Sequence, residues 1–185
     1  MSIQPLRYIA FLRAINVGGH TVKMEHLRWL FADIGFANVE SFIASGNLIF
    51  DWPACDTAAL EQQIDHYLHQ ALGYPVATFL RSPAEIAAVA AYQPFPHEPM
   101  AATDTLFVAF LARPPSDKAQ ARLLALQTPL DEFRVHGREA YWRRRGTPSQ
   151  SAITGAQLER ALELPATQRN ITTVRKLAAK YGPEG

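Results

Sequence analysis

The sequence predicts an α+β protein: a ferredoxin-like βαββαβ plait followed by a second, partly similar α/β half. Three observations carry this reading. Residues 6–15 (LRYIAFLRAI) place apolar side chains on both alternating faces, so they form a strand whose sheet is covered on both sides. Strand-like and helix-like runs then succeed one another in plait order as far as residue 81. Finally, Ile9-Ala10-Phe11-Leu12 is echoed by Val108-Ala109-Phe110-Leu111, and each is followed by a helical run and a glycine-centred hairpin.

Taken in order, the first strand ends in a loop, Asn16-Val17-Gly18-Gly19-His20, punctuated by two glycines. Thr21 is the expected N-cap of a helix in which Met24, Leu27, Leu30, Phe31 and Ile34 share a face, with Gly35 as C-cap. Val39–Ala44 and Leu48–Asp51 read as strands joined through Ser45-Gly46-Asn47. Asp56 or Thr57 caps a second helix carrying Leu60, Ile64, Leu68, Ala71 and Leu72, and Gly73 ends it. A short strand spans 76–80, and Ser82-Pro83 opens a helix to about residue 91.

Pro94, Pro96 and Pro99 mark a connection, so the chain divides into a plait over 1–92 and a second α/β half over 93–185, expected to pack as one compact unit. The second half opens with a strand over 105–111 and a helix over 116–127. Glu132–His136 and Glu139–Arg143 form a hairpin around Gly137. Helices near 154–163 and 171–181 close the chain with no final strand legible.

Composition removes several classes. A chain of 185 residues buries enough surface to fold without metal or disulfide staples. Its single cysteine, Cys55, excludes an internal disulfide. No apolar run approaches the ~20 residues of a membrane helix, and Met1–Arg7 lacks the pattern of a secretory leader. A cytoplasmic location away from membranes is the expectation. The net charge of +1 hides an asymmetry: residues 1–100 hold five basic and nine acidic side chains, the remainder thirteen and eight. An excess of that size attracts an anionic partner but is modest for sequence-independent nucleic-acid binding.

The plait topology adds what the linear order conceals. With strand order 4-1-3-2, the end of strand one, the start of helix one and the turn between strands two and three share an edge. Arg13, Asn16, Gly18, Gly19, His20 and Lys23 are therefore expected near Ser45, Gly46 and Asn47. Cations, amides, free backbone N–H groups and a helix N-terminus on one rim describe an anion site. Arg13 needs a partner, either a ligand anion or a carboxylate such as Asp51. Arg13 and Asn47 are expected within one side-chain reach of each other.

Other polar residues fit plainer roles. His66 and His69 lie three apart on a polar helix face with no third ligand, so no metal or cofactor is called. No GxSxG elbow, HExxH or CxxC is present. Trp29 falls beside the polar stripe of helix one, which suits an interface. Tyr141-Trp142-Arg143-Arg144-Arg145 reads either as a nucleic-acid-stacking strand or as an edge strand with Arg143 and Arg145 turned outward as gatekeepers. Asn170 is a natural N-cap for the helix from Ile171, and Arg169 stands just outside that helix start.

The segments Leu12-Arg13-Ala14-Ile15-Asn16-Val17-Gly18-Gly19, Lys23-Met24, Ser45-Gly46-Asn47 and Arg169-Asn170 together resemble the bacterial family called domain of unknown function 1697. The resemblance covers nearly the whole chain. It implies a ferredoxin-like plait followed by a second α/β portion, and its polar motif positions match Arg13, Asn16, Gly18, Gly19, Lys23, Ser45, Gly46, Asn47, Arg169 and Asn170. The chain departs from the usual pattern at Ala14, where glycine is common, and at Ile171, where tryptophan is common. No activity follows from the resemblance. The leading functional expectation is a protein that binds a phosphate-bearing small molecule or nucleotide. Arg13 and Lys23 would supply charge, Gly18 and Gly19 backbone donors, and Asn16, Ser45 and Asn47 orientation, with Arg169 closing the site. An RNA-binding role for the basic half is the alternative. A phosphoryl- or acyl-transfer enzyme ranks third, because Ser45 and His20 are the only candidate nucleophile and base. Oligomeric state is not legible.

Overall fold

The apolar run at the N-terminus forms β1 (Leu6–Leu12) in the computed structural model, which describes residues 5–16, 18–43, 46–147 and 150–183. The strand stops at Leu12 rather than at Ile15, since Ala14 takes a left-handed backbone with φ of 60°. There follow α1 (Met24–Ile34), β2 (Ala37–Ser41), β3 (Asn47–Trp52), α2 (Thr57–Leu72) and β4 (Thr78–Arg81). Strand order β2-β3-β1-β4, antiparallel throughout, is the predicted plait. Tyr8, Ala10, Leu12, Leu48, Phe50 and Leu80 of the sheet pack with Leu27, Leu30 and Phe31 of α1 and Leu60, Ile64 and Leu68 of α2. On the opposite face of β1, Ile9 and Phe11 are also fully buried, as a strand apolar on both sides requires.

After α3 (Pro83–Ala91) the chain runs through β5 (Thr105–Phe110), α4 (Asp117–Leu124), β6 (Asp131–His136), β7 (Glu139–Arg144), α5 (Gly155–Leu162), β8 (Thr167–Asn170) and α6 (Ile171–Tyr181). The order β6-β7-β5-β8 repeats the first sheet. The second half is thus a full plait, and the expected lack of a final strand is corrected by β8, which pairs antiparallel with β5. β8 reads Thr-Gln-Arg-Asn, with no apolar alternation to announce it, yet Thr167 and Arg169 alternate inward. Trp142, Phe133, Ala109 and Leu111 meet Leu123 of α4 and Leu158 and Leu162 of α5 in this core. The chain separates into two compact units, Met1–Ile86 with Tyr181–Gly185, and Ala87–Lys180. Among the described residues no helix is long and apolar enough to cross a membrane.

Caps follow their chemistry with one exception. Asp56 accepts from the Ala58 N–H, Ser116 from Ala119, and Thr154 forms a capping box with Gln157. At α1 the expected Thr21 cap is displaced by Lys23, whose side chain accepts nothing. Position 14 carries a prediction of its own. The left-handed region burdens alanine by ~1–2 kcal/mol, partly offset by the backbone entropy a glycine loses on folding. Ala14→Gly should therefore raise stability by roughly 0.5–1 kcal/mol in urea denaturation. A destabilised variant would show that position 14 is not strained.

Candidate functional site

Residues 13–23 form the loop from β1 to α1, and short-range polar bonds fix it. The Asn16 side chain accepts from the Val22 N–H at 2.8 Å and closes the turn. Tyr74, just past α2, donates its hydroxyl to the Ile15 carbonyl at 3.2 Å, and burial pushes that phenol up from its ordinary value. Gly18 and Gly19 have φ of 65° and 86° and are exposed, so glycine here serves the backbone path. His20 stacks on Tyr74 with ring centres 3.9 Å apart.

Between this loop and the end of α2 lies an open groove of about 460 Å³, lined by His20, Thr21, Val22, Lys23, His26 and Tyr74 with Ala71 and Leu72. Lys23 and His26 are i and i+3 on the start of α1 and share a side of it. The first-turn N–H groups receive no side-chain acceptor from the cap residue, so the positive end of the helix dipole is left for another acceptor. Glu25 stands in the same turn. Three basic side chains around a helix start can neutralise and orient an anion.

The expected rim is partly assembled here. The Leu12 N–H donates to the Gly46 carbonyl at 2.9 Å, so the end of β1 does meet the hairpin. Arg13 follows directly; it is half-buried, and its backbone N–H donates to Ala77 O at 2.8 Å. Asn47 pairs in register with Phe11, but it is fully buried and its amide donates to the Phe42 carbonyl at 2.9 Å. It braces the hairpin and does not line the groove. Asp51, the carboxylate considered for Arg13, is bound instead by Arg7 at 2.8 Å, which together with the Asn38 amide holds it below the usual carboxylate range. Ser45 lies outside the described residues.

Arg169 and Asn170 belong to the second unit and have structural work there. Arg169 is buried, donates to the Thr167 hydroxyl and the Gln168 carbonyl at 2.8 Å each, and burial pushes its guanidinium down to about 10. The Asn170 side chain accepts from the Thr172 N–H at 2.8 Å, capping α6. The basic run is also internal, which corrects the edge-strand reading. β7 lies between β6 and β5, and Arg143 is buried and bonded to Asp104 at 2.8 Å. Arg144 stacks over Trp142 at 4.3 Å, and Arg145 pairs with Glu98 and Glu132.

Sequence reasoning missed His26 and Tyr74. The first was legible as the third member of a His20, Lys23, His26 series at spacing three. The second depends on where α2 ends and had no local signal. No cluster of three or more metal-ligating side chains occurs among the described residues.

The chain is similar in sequence to a family model described as protein of unknown function (DUF1697), which matches residues 6–141. Among solved structures it resembles the conserved bacterial protein SP0830 from Streptococcus pneumoniae, at 23% identity and a TM-score of 0.73, covering 96% of this chain and 98% of that one. That likeness is one of fold. No curated protein matches.

Proposed function

Because the chain belongs to the DUF1697 family, whose description carries no activity to inherit, we propose a function from the site itself: the groove at the start of α1 binds a phosphate-bearing small molecule or nucleotide. The observation that carries the reading is the convergence of His20, Lys23 and His26 on one open groove beside a helix N-terminus that its cap residue leaves unsatisfied. Asn16, Gly18 and Gly19 shape the loop that forms its rim. Binding is what the groove's charges and helix start support; Ser45, the candidate nucleophile of a transfer reaction, lies outside the described residues. The proposal puts the protein in the cytoplasm, a reading supported by its lone, exposed Cys55.

The RNA alternative has less support, because Arg143, Arg144 and Arg145 are all engaged inside the second unit. The test is a thermal-shift titration with inorganic phosphate, pyrophosphate and nucleoside phosphates. Ligands at a hundred times their Kd should stabilise by about 2.7 kcal/mol, and Lys23→Ala should shrink that response while leaving the unliganded melting temperature within about a degree or two. An unchanged response in Lys23→Ala would remove the groove from consideration.

A further inference from the structure

Two histidines of the groove lining each lie against a neighbouring aromatic ring, and this narrows the ligand. On one side His20 lies against Tyr74, ring centres 3.9 Å apart and planes 21° apart. On the other, His26 lies nearly parallel to Trp29, 5.9 Å away with planes 7° apart. Trp29 is 58% exposed, the most exposed large apolar side chain among the described residues. It follows Lys23 by six residues, a rise of about 9 Å with about a third of a turn between the two positions around the helix. His26, midway between them, lines the groove and lies against Trp29, and so joins the cationic end to this flat apolar surface.

We propose that the ligand of this groove is a nucleoside phosphate, with the phosphate held at Lys23 and His20 and the base stacked on Trp29 beyond His26. This rests on the anion reading above and adds the recognition of the base. Simple phosphates and sugar phosphates would use only the charged end. Indole supplies the largest stacking face of any side chain, and its exposure in water is then accounted for by a partner that covers it only when bound.

The experiment uses the intact chain and four probes: AMP, adenosine, ribose 5-phosphate and inorganic phosphate. Trp142 is buried and Trp52 half-buried, so a change in tryptophan emission on ligand addition reports chiefly on Trp29. AMP should quench emission and bind more tightly than ribose 5-phosphate. Trp29→Ala should lose about five- to a hundredfold in AMP affinity, the range of base–aromatic stacking, with ribose 5-phosphate unaffected. Trp29→Phe should keep most of the AMP affinity and lose the quench. Equal affinity for AMP and ribose 5-phosphate, or AMP affinity unchanged in Trp29→Ala, overturns the base assignment and leaves the anion site standing. A Trp29→Ala chain that changes only its sedimentation behaviour also overturns it, in favour of an interface. No binding of any phosphate compound overturns the anion reading and this one together.

Discussion

Asp104→Ala is expected to destabilise the second unit by about 3 kcal/mol, because it removes the nearest and most deeply buried of the three carboxylates around the Arg143 cation. The Arg143 side chain is 1% exposed and that of Asp104 is 4% exposed, with Nη2 and Nε of the arginine 2.8 and 3.1 Å from the same carboxylate oxygen. The Glu98 and Pro99 carbonyls accept further bonds at 3.1 and 2.9 Å. The Glu98 and Glu132 carboxylates stand at 3.7 and 3.6 Å, more exposed and too far for good hydrogen bonds, and offset only part of the charge. Asp104 also accepts from the Ala101 N–H, so its loss frees the turn that precedes β5. Arg143→Met with Asp104→Leu should cost less than either single change, since it removes both charges from the interior.

The pH dependence has a definite sign. Burial by itself would raise the Asp104 carboxyl, but the hydrogen bonds from Arg143 and the Ala101 N–H outweigh it and hold the group below its ordinary value. A depressed folded-state value means this contribution is fully present above the unfolded carboxylate range. It is lost as pH falls through the folded one. Urea unfolding of the whole chain from pH 7 to pH 3 checks both points. A loss under 1 kcal/mol for Asp104→Ala would show that the pair is not what holds Arg143.

The same arginine shows where sequence reading reached its limit. Tyr141 to Arg145 looks like a basic aromatic stripe, and its charges are visible in any composition count. Their neutralisation depends on Glu98, Asp104 and Glu132, which approach only once β7 lies between β5 and β6. Strong periodic segments were legible for the opposite reason. β1, α1 and α2 declare themselves through apolar spacing, and the strand order followed from the plait, so the meeting of Leu12 with Gly46 could be anticipated across 34 positions. β8 could not, because four polar residues carry no periodic signal and are strand only by pairing with β5. The groove was half legible. Lys23 and His20 were placed from the loop, whereas Tyr74 enters through the length of α2 and His26 through a helix start two residues later than the one expected at Thr21.

Gly46→Ala should cost about 2–5 kcal/mol, the largest effect of any single methyl group in the first unit. Two penalties combine. Gly46 has φ of 69°, where an L-residue carries strain of roughly 1–2 kcal/mol. Its added Cβ would sit 3.2 Å from Leu12 Cβ and 3.3 Å from Ile15 Cγ2, both in the core, so ~1–3 kcal/mol of overpacking follows. Gly18→Ala is the control: φ is similar at 65°, but nothing lies within 4 Å of the new methyl, and only the conformational part, about 1 kcal/mol, should appear. Asn47→Ala should fall between them at about 1–3 kcal/mol, because the buried amide holds the Phe42 carbonyl. If the hairpin matters to the site only by holding the end of β1, phosphate should still stabilise Asn47→Ala as much as it stabilises the parent chain. A Gly46→Ala variant as mild as Gly18→Ala would mean that the turn and the core beneath it yield, and the close approach of Gly46 to Leu12 and Ile15 would then have no structural weight.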